Sequence, residues 1–187
     1  LANCHVNVLQ TQDYPQFKTY AEELKWLTTD KVRMAWVAKT IKDISTSGNT
    51  LILVDRISAG EILQEQIEDA VFVSGSTKNT DRKEQYDEIS TATNKVIIAT
   101  YGVAAVGINI PRIFNLVLIE PGKSFVRVIQ SIGRGIRKAE DKENVQIWDI
   151  TSSCKFAKRH LGARKKFYKE ANYPYNIEKI NYENPYT

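Results

Sequence analysis

Leu51-Ile52-Leu53-Val54-Asp55-Arg56, followed by Ser58-Ala59-Gly60-Glu61, reads as a strand that hands the chain over to a helix. The four leading residues form an unbroken apolar run without polar alternation, the pattern of a strand buried on both faces of a parallel sheet. Ser58 with Glu61 three residues later has the spacing of a capping box, in which hydroxyl and carboxylate satisfy the first amides of a helix. Ile62, Leu63 and Ile67 are that helix's apolar residues.

The same unit repeats downstream. Val71-Phe72-Val73 ends at Ser74-Gly75, and a polar helix is expected over Thr80 to Ile89. Val96-Ile97-Ile98-Ala99 runs into Thr100, and Leu116-Val117-Leu118-Ile119 is stopped by Pro121-Gly122. Ser124 caps an expected helix reaching Arg137. Val145 to Ile150 is a further strand, Lys155 to Ala171 a basic helix, and the tail from Asn172 is rich in Tyr, Asn and Pro. Upstream, Asp30 is a fitting N-cap. Val32, Trp36, Val37, Thr40, Ile41 and Ile44 then recur at helical spacing until Gly48-Asn49 ends the pattern. Tyr14 to Leu27 reads as loop and helix, and Val6 to Leu9 as a short strand. Strands alternating with helices predict an α/β fold with a parallel sheet covered on both faces. Ligands of such sheets sit beyond the carboxyl ends of the strands.

Composition narrows the class. The chain has 187 residues, 26 Lys and Arg against 22 Asp and Glu, and a net charge of +4, which allows an anionic partner without requiring one. Cys4 and Cys154 form no CxxC pair, and His5 and His160 complete no ligand cluster, so neither a disulfide scaffold nor a metal site is expected. The thiols read as reduced and intracellular. No apolar run is long enough to span a bilayer. The chain opens on Leu1 without a signal peptide, as a fragment would.

One helix face and two strand ends carry candidate chemistry. Gln130, Arg134 and Arg137 are spaced by four and three, which puts an amide and two guanidiniums on one helix face, while Ile129, Ile132 and Ile136 take another. Such a stripe suits a polyanion such as a triphosphate. A solvated basic face has the same spacing. Thr100 ends a strand and precedes Gly102, Gly107 and Asn109, residues suited to phosphate or ribose contact. An ordinary strand-to-helix connection reads the same way. Ser74-Gly75 can cradle a phosphate or form a plain turn.

Taken in order, "TLILVDR", "VFVSGSTKNTDR", "VIIATYGVAAVGINIP" and "RVIQSIGRGIRKA" resemble motifs four to six of the superfamily two helicases over roughly residues 49–150. The pairing of "TYGV…GI" with "VRVIQSIGR…RK" looks most like the UvsW-type phage helicases, which remodel branched DNA in recombination and repair. The closing "ARKKFYKEANYPYNI" is similar to their final helix and tail. Tyr101, Val106 and Asn109 depart from residues many relatives carry there, which argues against a DEAD-box RNA helicase.

The resemblance implies a three-layer RecA-like domain, the second motor lobe of an ATP-dependent DNA helicase. Arg134 and Arg137 would be arginine fingers on the γ-phosphate, and Gln130, Gly107 and Asn109 would touch ATP. Thr100, Ser74, Gly75 and Arg56 would hold nucleic-acid phosphates. No G-x-x-x-x-G-K-[ST] loop is present, and Asp87-Glu88 lies in a polar helix, not at a strand end. ATP phosphates and Mg2+ would therefore fall to an N-terminal RecA-like lobe. The expected division is a lead-in over 1–48, a core over 49–152, and a basic helix and tail over 153–187. The partner would be DNA with branches or junctions and the location the host cytoplasm, with no membrane. A non-catalytic nucleic-acid-binding module is the rival; it has no use for the Gln130, Arg134, Arg137 stripe.

Overall fold

The computed structural model describes residues 4–73, 93–106, 113–123, 128–129 and 145–182. Its seven strands are β1 (Cys4–Thr11), β2 (Thr50–Val54), β3 (Val71–Val73), β4 (Val96–Thr100), β5 (Asn115–Ile119), β6 (Val145–Ser152) and β7 (Tyr175–Ile180). They form one sheet in the order β3-β4-β2-β5-β6-β1-β7, and every pairing is parallel. The helices are α1 (Tyr20–Thr29), α2 (Lys31–Ser45), α3 (Ile57–Gln66), α4 (Tyr101–Ala105) and α5 (Lys155–Glu170). This is the three-layer α/β architecture expected.

The apolar strand runs explain the layering. Successive side chains of a strand point to opposite faces, so Leu51 and Leu53 join one core with Ile97, Leu116 and Ile147. Ile52 and Val54 join a second core with Ile98, Val117 and Ile150 on the other face. Leu161 and Tyr168 of α5 cover the first core, and α2 and α3 cover the second. Each fully buried Leu, Ile or Val contributes about 1.5–3 kcal/mol, and both faces of β2 are buried along its whole length.

Several expectations need correction. Ser58 does not cap its helix: α3 starts at Ile57, Arg56 holds the cap position without a side-chain hydrogen bond, and Ser58 is exposed. The buried face of α2 is Arg33, Met34, Val37, Ala38, Ile41 and Ile44, whereas Val32, Trp36 and Thr40 are half-buried. Val37, Ile41 and Ile44 lie inward as expected, while Arg33, Met34 and Ala38 take the inward places expected of Val32, Trp36 and Thr40; Arg33, charged yet fully buried, interrupts the apolar pattern. β7 was not legible as a strand: the alternation begun by Tyr175 and Ile177 breaks at Lys179, and pairing with β1 together with the packing of Tyr175 and Ile180 on the two cores orders it. Asp30 does cap α2, accepting from Arg33 N at 3.0 Å.

One cap comes from outside its own helix. Cys154 precedes α5 and supplies no side-chain cap. Instead the two oxygens of Glu23 on α1 accept from Phe156 N and Ala157 N at 2.9 and 2.8 Å. A buried carboxylate on free helix amides meets both their hydrogen-bonding need and the positive pole of the helix.

Candidate functional site at the carboxyl ends of the strands

β2 and β4 are neighbours in register, with Val54 beside Thr100. The residues that follow them, Asp55-Arg56 and Tyr101, therefore emerge side by side on one edge of the sheet. β5 lies on the other side of β2 and delivers Glu120 to the same edge. Thr100 is half-buried and caps α4, its Oγ1 accepting from Val103 N at 3.2 Å. A hydroxyl has one donor and two acceptor sites, so this cap leaves its O–H as the group to offer a phosphate oxygen. Arg56 donates from Nε to Asp55 Oδ2 at 3.1 Å, and its side chain is 37% exposed. Asp55 Oδ1 is buried and has no hydrogen-bond partner among the described residues.

Arg56 and Thr100 are thus brought to one edge. Arg134, Arg137, Gln130, Gly107, Asn109, Ser74 and Gly75 lie outside the described residues, as do the expected helix over Thr80 to Ile89 and the Asp87-Glu88 pair; of the helix expected after Ser124 only Val128 and Ile129 are described, and both are helical and buried in the first core. Among the described residues, no three His, Cys, Asp or Glu side chains are grouped to hold a metal ion. No described helix is long and apolar enough to cross a membrane.

A buried charge network beneath this edge escaped the sequence reading. Arg33 is fully buried. It donates to Glu120 Oε1 at 2.7 Å, Thr11 Oγ1 at 3.0 Å, Leu27 O at 2.6 Å and Thr151 O at 3.2 Å. Asp13 Oδ2 stands 3.7 Å from its Nε. Asp13 also accepts from Thr11 and Ser152 hydroxyls and from Tyr182. Two carboxylates therefore share one guanidinium. Burial pushes the Glu120 carboxyl up to about 7, against the pull of Arg33, Arg164 and the Thr151 hydroxyl. A second network joins Arg164, Asp149 and Tyr168, where Arg164 meets Asp149 with two bonds. Burial alone would pull the Arg164 guanidinium down; the charge and hydrogen bonds of Asp149 outweigh it and raise it. Burial and the Asp149 charge hold Tyr101 and Tyr168 well above the usual phenol range. Tyr101 donates to Ile119 O at 2.9 Å, tying the start of α4 to the end of β5.

The signals for these networks were present but weak. Glu120 ends an apolar strand, and Arg164 sits at the phase of Leu161 and Tyr168 on the inward face of α5. A charge at a core phase is unreadable until its partner is known, and Arg33 and Glu120 are 87 residues apart in sequence.

The pattern that defines the helicase conserved C-terminal domain matches residues 32–139. The chain belongs to that family. This helicase C-terminal domain is 29% identical over 155 residues, 80% of its length, to the ATP-dependent DNA helicase uvsW of Enterobacteria phage T4. It is 34% identical over 104 residues, 54% of its length, to putative helicase 22 of Sulfolobus islandicus filamentous virus. It spans 31% of the first relative and 18% of the second. Its fold matches the crystal structure of T4 UvsW with a TM-score of 0.82 at 21% identity, over 95% of this chain and 42% of that one.

Proposed function

We propose that this helicase C-terminal domain is the second motor lobe of an ATP-dependent DNA helicase or translocase that acts on branched DNA in recombination and repair. The observation that carries the reading is the shared edge of β2 and β4. In a chain of this family, the edge aligns Arg56 and Thr100 beyond neighbouring strand ends, where a phosphate backbone would be held. Contacts of this kind ignore sequence, as a motor that steps along any sequence requires.

In this reading an N-terminal RecA-like lobe of the same protein holds Mg2+ and the ATP phosphates. ATP supplies the free energy for lobe closure and reopening. Gln130, Gly107 and Asn109 face the nucleotide from this side, and Arg134 and Arg137 neutralise charge developing on the γ-phosphate, an effect worth about 10³–10⁵ in rate in related switches. Ser74 and Gly75 extend the phosphate grip begun by Thr100 and Arg56. The lobes work in the host cytoplasm, without a membrane.

The test is steady-state ATP hydrolysis, with and without branched DNA, by the protein that joins this chain to its first lobe. Arg134→Ala and Arg137→Ala should each lower kcat more than they raise KM, because the lost contact is made in the transition state. Thr100→Val should weaken DNA stimulation more than basal turnover. The 187-residue chain alone should hydrolyse no ATP. Wild-type turnover in both arginine variants would remove the finger assignment.

A further inference from the structure

The outer side of α5 is a continuous cationic stripe. Lys155, Lys158, Arg159, Lys166 and Lys169 are exposed, Lys165 is half-buried, and the set recurs at helical spacing. None makes an ion pair with a described residue; Lys155 Nζ and the Arg159 guanidinium lie over the Phe156 ring at 5.3 and 5.6 Å. The helix holds seven Lys and Arg against one acid, Glu170, a net of +6. The chain as a whole nets +4, so everything outside α5 nets −2. The net excess of positive charge of this protein falls on one helix.

An ordinary solvated face mixes acids among its bases and gains from pairs four residues apart. Here like charges stand at that spacing, as Lys155 with Arg159 and Lys165 with Lys169, and repel. Lys155 and Lys158 also sit in the first turn, where the positive pole of the helix disfavours cations. Midway along the stripe is Gly162, exposed, with nothing within 4 Å of where a Cβ would stand. No packing demand explains a glycine there, but it allows close approach to the backbone. The stripe is also held in a fixed rotation: Glu23 caps the helix, and Arg164 locks its inner side to Asp149.

We propose that α5 is a second phosphate-binding surface, outside the cleft between lobes, that lies along the backbone of a double-stranded DNA arm. This rests on the reading of the chain as part of a DNA motor. α5 begins just after β6 at the carboxyl edge of the sheet and packs back along the face that carries α4. A duplex leaving the cleft would meet Lys155 first. From Lys155 to Lys169 the helix rises about 21 Å, the axial length of about six phosphates on one strand. The stripe presents no exposed aromatic ring. Single strands are held by stacking on open rings; here Phe156 and Phe167 are half-buried, Phe156 lies under Lys155 and Arg159, and Tyr168 is buried, so the cationic face fits a duplex backbone.

The experiment measures binding of the 187-residue chain to a fluorescein-labelled 30-base-pair duplex by anisotropy, over a series of salt concentrations. The variant Lys158→Gln/Lys166→Gln/Lys169→Gln removes three exposed charges; circular dichroism checks its fold. The dissociation constant should rise about ten-fold or more, and the slope of log K against log salt should shallow by about two to three, at about 0.9 per lost phosphate contact. Lys→Arg at the same positions should keep both values. If the glutamine variant keeps the wild-type affinity and slope while Arg56→Ala weakens binding, the stripe proposal fails and the motor reading stands. If the wild-type chain binds no duplex at low salt, the stripe proposal fails, and the ATPase test of the two-lobe protein decides the motor reading separately. If poly-L-glutamate of matched charge binds as tightly as the duplex and loses that affinity in the glutamine variant, the surface is one for acidic proteins and the DNA assignment falls.

Discussion

Arg164 of α5 grips Asp149 of β6 through Nε and Nη2, at 2.8 and 2.9 Å, with neither side chain more than 1% exposed. Tyr168, one turn along the same helix, donates to the same carboxylate at 2.8 Å. The helix is thereby joined to the sheet by a charge pair set within an apolar core. Removing one member leaves the other charge buried and unpaired, which costs about 3–5 kcal/mol.

Arg164→Ala should therefore lower the free energy of unfolding by about 3–5 kcal/mol in urea titration. The triple change Arg164→Met/Asp149→Leu/Tyr168→Phe should recover most of it, because it leaves neither an orphaned charge nor the Tyr168 hydroxyl unpaired. A loss under about 1 kcal/mol in the single variant would show that water reaches the site.

Glu120 predicts a pH dependence. Its carboxyl stands at about 7 in the folded chain against an ordinary 4.5. A group raised on folding binds more protons in the native state, so its contribution is fully present below about 4.5 and is lost as pH rises through about 7. Between pH 5 and 8 the wild-type chain should lose about 1–3 kcal/mol that Glu120→Gln does not. Urea midpoints across that range measure it. Parallel curves for the two proteins would show that Glu120 titrates normally.

Two glycines should answer the same substitution with opposite signs. A Cβ on Gly60 of α3 would stand 2.3 Å from Phe72 Cε2, whereas one on Gly162 would meet nothing within 4 Å. Gly162→Ala should stabilise by about 0.5–1 kcal/mol through helix propensity alone. Gly60→Ala should destabilise by about 1–2 kcal/mol despite the same propensity gain, since the Phe72 ring must move. Adding Phe72→Leu should relieve Gly60→Ala. Thermal melts of the four proteins decide it; stabilisation by Gly60→Ala would show that the ring swings aside freely.

Glu23→Gln should cost about 1–2 kcal/mol and fray the start of α5. The amide keeps one acceptor oxygen for the Phe156 and Ala157 amides and loses the charge that favours the helix pole. Hydrogen exchange at Phe156 and Ala157 should rise in the variant while exchange in β2 stays slow. Unchanged protection at both amides would show that the cap does not need the carboxylate.

The sequence by itself determined the layered parallel sheet, because Leu51 to Val54, Val96 to Ala99 and Leu116 to Ile119 can be buried on two faces and in no other common way. It also carried the start of α2 at Asp30, since a cap is a local bond between residues three apart. The order of the strands, the place of β1 between β6 and β7, and β7 itself came only with the tertiary structure. In Tyr175 to Ile180 the apolar alternation lasts only to Ile177, and pairing with β1, more than 160 residues earlier, with packing of Tyr175 and Ile180 holds the strand. At the strand ends, Thr100 and Arg56 were readable as polar residues after apolar runs. Glu120 also follows such a run, but its buried pairing was not readable, and neither were Arg33, Asp149 and Arg164. A buried charge is tolerable only beside its partner, and those partners meet through folding: Arg33 with Glu120 across 87 residues, and Arg164 with Asp149 across 15 and two structural layers.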